Sequence, residues 1–200
     1  KPTLQGTAGS GLKEGQCAGR SVVTARVVPT IWLVIDGSGS MLTGLTGLAG
    51  PSRWTVVRDA LMTPTSGLVA RLEGSIAFGL LIYDGGLSPP GLVSPLCPRV
   101  IAVEPALRNF AAIDMAYPAA PTGASTPTHY ALVDLSKRIT QGQQSGKTNP
   151  TYVVLATDGK PNLCDFHDGI PASADTEQEA IDTVGMLASE GTKTFAVSLA

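Results

Sequence analysis

The chain has 200 residues, of which 43% are hydrophobic and 15% charged, which suits one domain with a substantial buried core. Its formal net charge is −2 and it contains no basic block, which argues against nucleic acid as the main partner. No run reaches the roughly 18 consecutive apolar residues of a membrane-spanning helix, so we expect no transmembrane segment in this chain.

The first half of the chain predicts a lead-in followed by alternating strands and helices. Residues 1–19 are rich in Gly, Ser and Thr, which is typical of a flexible lead-in, so we assign the domain to residues 20–200. Because the sequence starts at Lys1 rather than at methionine, we expect that a preceding segment has been removed. The patterns then predict an edge strand at 21–28, a strand at 31–36, a loop at 41–51, helices at Arg53–Met62 and 67–72, and a strand at 75–83.

The second half continues this alternation. We expect a short strand at 100–103 that runs antiparallel to its neighbours, and a long helix at 127–139 with Lys137 and Arg138 near its end, where they complement the helix dipole. The other predicted elements are a helix at 109–115, a strand at 152–156, a helix at 176–189 and a strand at 194–199. Alternating strands and helices predict an α/β fold, namely a doubly wound, mostly parallel sheet flanked by helices.

Three predicted strands end at an aspartate. Asp36, Asp84 and Asp158 each follow an apolar run, at or just beyond the predicted carboxyl end of a strand. In doubly wound sheets, ligands bind beyond the carboxyl ends of the strands, where the strand order reverses. We therefore expect the functional site at this edge, and we assign Asp84 to a loop outside it.

The segment Asp36-Gly-Ser38-Gly-Ser40 carries the strongest chemical signal. Alternation along the chain points one carboxylate and two hydroxyls toward a single place, and the glycines let the backbone curl around it. Hard oxygen ligands of this kind suit a hard divalent cation. By itself the segment favours a plain turn, since Asp-Gly and Ser-Gly pairs are common turn formers.

Two further segments complete a recognisable pattern. Thr126 directly precedes Pro127 at the start of the long helix, and Asp158 follows the strand at 152–156. Together with Asp36, Ser38 and Ser40, they resemble the metal-ion-dependent adhesion site of the von Willebrand factor type A family, a Rossmann-like fold. All five positions occur in order and in the right predicted context, and the resemblance covers about 29–200.

The resemblance implies a role for each of these residues. Ser38 and Ser40 would bind Mg²⁺ or Mn²⁺ directly, with Ca²⁺ as a third choice, and Thr126 would bind directly in the ligand-competent state. Asp36 and Asp158 would mainly hold the waters of the metal. The remaining coordination position would take an Asp or Glu carboxylate from a protein partner. Few charged ligands touch such an ion, so it stays electrophilic toward the incoming carboxylate.

The sequence departs from the family in two places. The type A fold normally continues past its fifth strand with a helix, a sixth strand and a last helix, whereas this sequence ends at Ala200. We therefore expect either a domain truncated after the fifth strand or a fold that is closed in another way. The segment 42–50 is a long Leu/Gly/Thr insertion directly after the candidate metal loop. It either shapes the ligand surface or is a tolerated loop.

We therefore expect a divalent-cation-dependent binding or adhesion module, and not an enzyme. One alternative is a surface or assembly component with an unused metal site. Another is a metal-dependent hydrolase, which we rank lower because the sequence supplies no positioned His or Glu base near the cluster. His129 is expected on the surface of the long helix, and His167 in a solvated loop.

The three cysteines leave their pairing open. Cys17, Cys97 and Cys164 form no C-x-x-C pair, which argues against structural zinc and leaves thiols or a single disulfide. The low lysine content and the composition of the lead-in favour export, so we expect an extracellular or cell-surface protein. If 21–28 forms an edge strand, Cys17 could reach Cys97. We therefore expect that pair, with Cys164 free or paired beyond Ala200.

Overall fold

The computed structural model describes residues 27–45, 50–86, 97–121, 123, 125–146, 149–162, 164 and 174–199. These residues form five strands: β1 Thr30–Asp36, β2 Ala77–Asp84, β3 Arg99–Ala106, β4 Thr151–Thr157 and β5 Lys193–Ser198. A short 3₁₀ helix, Gly39–Leu42, follows β1. The α-helices are α1 Arg53–Met62, α2 Leu68–Leu72, α3 Phe110–Ala116, α4 Thr128–Gln144 and α5 Ala174–Ser189.

The strands form one mostly parallel sheet in the order β3-β2-β1-β4-β5. In this sheet β1 pairs in parallel with both β2 and β4, β5 pairs in parallel with β4, and β3 runs antiparallel to β2 as predicted. The chain passes from β1 to β2 on one side and later returns to β4 on the other, so the strand order reverses between β1 and β4. This confirms the α/β class and places a topological switch point beside the end of β1.

The central strand β1 is apolar on both faces, because helices cover both sides of the sheet. Leu33 and Ile35 point to one face, and Trp32 and Val34 point to the other. On the first face the buried partners come from α1, α2 and α3, and include Trp54, Leu61, Val69 and Ile113. On the second face they come mainly from α4 and α5, and include Leu132, Leu135, Ile139 and Leu187.

Local sequence features explain the start of α1, its buried face and the extent of α4, the two helices nearest the site. Helix α1 starts after Ser52, whose hydroxyl accepts a hydrogen bond from the Thr55 amide at 3.2 Å, and it buries Trp54, Val57 and Leu61 at helical spacing. Helix α4 buries its apolar residues up to Ile139, where we predicted its end. It continues to Gln144 because the polar residues that follow still complete the backbone hydrogen-bond ladder toward solvent.

Most of the predicted elements agree with the structure to within a few residues. The predicted edge strand falls largely on 21–26, and the lead-in on 1–19, both of which lie outside the described residues, as does His167. His129 is half-buried and not a free surface residue, since its Nδ1 atom lies 3.0 Å from the Thr183 hydroxyl on α5. Within the described residues, no helix has both the length and the apolar character needed to cross a bilayer.

The expected disulfide partner of Cys97 is wrong. The structure joins Cys97 to Cys164, with 5.3 Å between their Cα atoms, while Cys17 lies outside the described residues. Because β3 is antiparallel, Cys97 precedes it at the same edge where the parallel strand β4 ends, and Cys164 follows β4. The prediction considered only a partner at the N-terminal side and overlooked that two loops at one edge can meet.

Removal of this disulfide is expected to weaken the fold. The double variant Cys97→Ser/Cys164→Ser should lose up to about 4 kcal/mol of unfolding free energy, because a cross-link spanning 67 residues restricts the unfolded chain. Urea unfolding under non-reducing conditions measures the loss, with Cys17→Ser as the control that should behave like wild type. A Cys17–Cys97 peptide in a non-reducing digest would contradict the pairing.

Candidate functional site

The loop after β1 folds its polar side chains onto one another. The Ser38 amide donates to Asp36 Oδ1 at 2.8 Å, which closes a tight turn directly after the strand. The 3₁₀ helix then brings the Ser40 hydroxyl to 2.9 Å from the Ser38 hydroxyl. Asp36 and Ser38 are buried, whereas Ser40 is exposed. The two hydroxyls therefore lie side by side, the buried one of Ser38 next to the exposed one of Ser40.

The end of β4 joins the same cluster. Thr157 donates its hydroxyl hydrogen to Asp36 Oδ2 at 2.7 Å, and Ser40 donates to Asp158 Oδ1 at 2.7 Å. These bonds connect positions 121 and 118 residues apart, because β1 and β4 are parallel neighbours whose carboxyl ends meet. Four of the five predicted residues, Asp36, Ser38, Ser40 and Asp158, thus form one hydrogen-bonded set with Thr157.

Thr126 lies in the loop that adjoins this set. Gly123, in the same loop, pairs with Ser38 in an isolated parallel bridge and donates its amide hydrogen to the Gly37 carbonyl at 3.2 Å. The Thr126 amide donates to Asn162 Oδ1 at 2.6 Å, and the Asn162 amide donates back to the Thr126 carbonyl at 3.0 Å. Thr126 is buried and precedes the N-cap of α4, which is Pro127. The loop is therefore held against both the β1 and β4 loops.

Asp84 has a structural role that the sequence reasoning did not assign. It is the last residue of β2 and is buried, and its Oδ1 atom accepts from the Gly86 amide at 2.6 Å and from Arg99 Nε at 3.0 Å. A Cβ atom at Gly123 would lie 2.0 Å from the Asp84 Cβ atom, so only glycine permits this close approach. Asp84 therefore supports the loop that carries Thr126, through packing against Gly123.

Arg53 is the functional candidate that the sequence reasoning missed. Its Nη1 atom donates to Asp158 Oδ2 at 3.0 Å, and its Nε atom donates to the Leu199 carbonyl at 2.7 Å. The Arg53 side chain is 19% exposed and the Asp158 side chain is 0% exposed. Nothing in the sequence around Arg53 signals this contact, since it spans 105 residues. By contrast, Thr157 and Asn162 lie near Asp158 in the sequence and could have been suspected.

Burial dominates the electrostatics of the Asp36 carboxylate. Burial raises the pKa of Asp36 above its usual value, and the nearby Asp158 charge acts in the same direction. Hydrogen bonds from Thr157 and Ser38 lower that pKa but do not offset the burial. A buried anion in this position is stabilised by a nearby positive charge.

The donor set fits a hard divalent cation. It consists of carboxylate oxygens from Asp36 and Asp158 with the hydroxyls of Ser38 and Ser40, and no soft ligand is needed. In the described part of the chain, no group of three or more His, Cys, Asp or Glu side chains could hold a metal ion. Hydroxyl groups would therefore have to supply part of the ligand set.

Comparisons with known proteins establish the fold alone. The sequence matches no protein-family model and no curated protein. Among solved structures, the pilus adhesin SpaC from Lactobacillus rhamnosus GG is similar, with 18% identity, a TM-score of 0.58, and coverage of 90% of this chain and 25% of that one. The PilB minor pilin from Streptococcus sanguinis is also similar, with 16% identity, a TM-score of 0.54, and coverage of 90% and 52%.

The vWF domain of the type V pili tip protein Mfa5 from Porphyromonas gingivalis matches at 15% identity, with coverage of 80% of this chain and 51% of that one. Its TM-score is 0.40, which supports no conclusion about this chain. The chain therefore spans a quarter of the SpaC chain and about half of the PilB chain, both of which are pilus proteins.

Replacing Asp36 by asparagine is expected to stabilise the protein in the presence of a chelator. The pKa of Asp36 is raised by folding, so its contribution to stability is full at low pH and is lost as the pH rises through that raised pKa. At pH 7 in EDTA, Asp36→Asn should therefore be more stable than wild type, because its amide has no charge that burial penalises.

Urea unfolding at pH 7 and pH 4 measures this effect. The advantage of Asp36→Asn over wild type should shrink at pH 4, where a larger fraction of the wild-type carboxyl carries a proton than at pH 7. Asp59→Asn is the matched control, because Asp59 is exposed on α1 and its neutralisation should change little. A variant that is less stable than wild type at pH 7 in EDTA would show that burial does not penalise this carboxylate.

Proposed function

We propose that the chain is an adhesion-type binding module of the von Willebrand factor type A class, with a metal-ion-dependent adhesion site. Asp36, Ser38, Ser40, Thr126 and Asp158 would hold a divalent cation, which captures an Asp or Glu side chain of a protein partner. One observation carries this proposal: the Asp36–Ser38–Ser40–Asp158 hydrogen-bonded set lies at the reversal of strand order, where such sheets bind ligands.

Mg²⁺ is the cation that we propose first, with Mn²⁺ as a close substitute and Ca²⁺ as a third possibility. The hydroxyls of Ser38, Ser40 and Thr126 would contact it directly, while Asp36 and Asp158 would orient its waters. Asp158 suits an indirect role, because its two oxygens already accept from Ser40 and Arg53. Bound this way, the cation would supply a Lewis-acidic position for an incoming carboxylate.

The setting that we propose is extracellular or at the cell surface. Two solved structures with the same fold are a pilus adhesin and a minor pilin, which supports a role in surface adhesion or assembly. The Cys97–Cys164 disulfide agrees with an oxidising environment. The net charge of −2 gives no reason to expect nucleic acid as a partner.

A second candidate function is a surface or assembly component whose metal site is unused. The contact between Arg53 and Asp158 favours it, because the guanidinium already neutralises one of the two carboxylates. The two candidates differ in their response to divalent cations, since only the first predicts that the cation changes stability and partner binding.

Addition of Mg²⁺ or Mn²⁺ is expected to raise the melting temperature. At about a hundredfold excess over the dissociation constant, binding contributes about 2.7 kcal/mol, or roughly 5 to 10 °C for a domain of this size. The shift should disappear in Ser38→Ala, which removes a ligand hydroxyl. Ser145→Ala at the far end of α4 is the matched control and should keep it. The absence of any shift in wild type would contradict metal binding.

Capture of a partner is expected to depend on both the cation and a carboxylate. Immobilised chain should retain proteins from the native extract in Mg²⁺, and release them in EDTA or in excess glutarate, a small dicarboxylate that competes for the open metal position. The Ser38→Ala variant should retain none of these proteins, and Ser145→Ala should retain them all. Retention that survives both EDTA and glutarate would contradict carboxylate capture through a metal.

A further inference from the structure

We propose that Arg53 is a permanent counter-ion of the candidate metal centre and lowers its affinity for the cation. This inference rests on the proposed function, because it concerns the same site. The residue lies at the first position of α1, far from the five predicted ligands in sequence, yet its guanidinium contacts one of them directly. It therefore adds a positive charge to a site that would otherwise be doubly negative.

The position of the guanidinium is set by three segments. The Arg53 amide donates to the Thr43 carbonyl at 3.0 Å, which ties the start of α1 to the loop after the 3₁₀ helix. Nε donates to the Leu199 carbonyl at 2.7 Å, just beyond β5. Nη1 then reaches Asp158 Oδ2 at 3.0 Å and lies 3.4 Å from the Ser40 carbonyl. Because α1 and β5 are both parts of the packed fold, this side chain has little freedom to leave.

Burial shields this ion pair from water more than an exposed pair such as Lys160–Glu177. The side chains of Arg53 and Asp158 are 19% and 0% exposed. In the Lys160–Glu177 pair, the corresponding values are 80% and 40%, so water screens that interaction much more. Charges that are shielded from water interact over longer distances and with greater energy. Arg53 therefore acts on any cation held by the neighbouring hydroxyls, and not only on Asp158.

The charge of the site follows from these contacts. Asp36 and Asp158 contribute two negative charges and Arg53 one positive charge, and an arginine side chain stays protonated at any physiological pH. The guanidinium repels a divalent cation and also donates to Asp158 Oδ2, which offsets the negative charge of that carboxylate. A site with less negative charge binds the cation more weakly, but it leaves more of the cation's charge for the carboxylate of a partner.

The test compares Mn²⁺ binding by wild type, Arg53→Gln and Arg53→Lys, with free Mn²⁺ measured by electron paramagnetic resonance. Arg53→Gln removes the charge but keeps an amide donor that can reach the Leu199 carbonyl. It is expected to bind Mn²⁺ about tenfold more tightly, a modest effect for a charge a few ångströms away and partly screened. Arg53→Lys keeps the charge and should stay within about threefold of wild type.

The Mn²⁺ affinities of the variants distinguish an effect of the Arg53 charge from a role of Arg53 in holding Asp158 in place. If Arg53 serves only to hold Asp158 in place, both variants will bind Mn²⁺ more weakly than wild type, which overturns the proposal. Equal affinity of wild type and Arg53→Gln overturns it as well. Circular dichroism checks that each variant is folded, and Arg53→Met, which keeps an unbranched apolar stem, replaces Arg53→Gln if the latter does not fold.

The same titration separates this inference from the proposed function. Mn²⁺ binding by Arg53→Gln but not by wild type would overturn cation-dependent function in the native chain, while supporting the action of Arg53 on the site. Mn²⁺ binding by wild type that is unchanged in Arg53→Gln would support the metal site and overturn the role of Arg53. Mn²⁺ binding by none of the variants would overturn both.

Discussion

The buried carboxylate of Asp36 is the constraint on which the candidate site depends. Its Oδ1 atom accepts from the Ser38 amide and so shapes the turn that follows β1, while its Oδ2 atom accepts from Thr157 at the end of β4. These two bonds bring the Ser40 hydroxyl to Asp158. Burial opposes the negative charge and raises the pKa of Asp36. The ionised carboxylate therefore reduces the stability of the fold, at the place where the proposed function would use its charge.

The fold supports this arrangement from both sides. The parallel strands β1, β2 and β4 end at one edge, so the loops after them meet there. The Thr126 loop contacts the ends of two of these strands: Gly123 packs on Asp84 at the end of β2, and Asn162, after β4, bonds to Thr126. The Cys97–Cys164 disulfide covalently joins the segment before β3 to the segment after β4. The hydroxyl and carboxylate positions thus depend on many weak contacts and one covalent bond.

The general architecture could be predicted because its signals are local. The apolar run before Asp36 is continuous since β1 is covered on both faces, and the spacing of Trp54, Val57 and Leu61 follows the helical period. The five candidate ligands were identified because they resemble a family motif, in which two segments follow predicted strands and a third precedes the long helix. The ligand role of these residues stays a prediction, although four of them do form one hydrogen-bonded set.

The contacts that could not be predicted join distant parts of the chain. The pairing of Cys97 with Cys164 depends on which loops share an edge of the sheet, and the wrong partner was expected because that edge was not considered for Cys164. Asp84 was assigned to a loop because the family motif does not require it. Its packing against Gly123 depends on a close approach between segments that no local pattern reports.

The sequence by itself determined the α/β class and the aspartates at or just beyond the ends of three strands, and it supplied the five candidate ligands as a prediction. These properties follow from periodicity and from residue types within a few positions of one another. Only the tertiary structure decided the disulfide, the support from Asp84, and the presence of Arg53 beside Asp158. The physical reason is that the charge and rigidity of a site depend on side chains that reach it through space, and strand order, not sequence distance, determines which ones do.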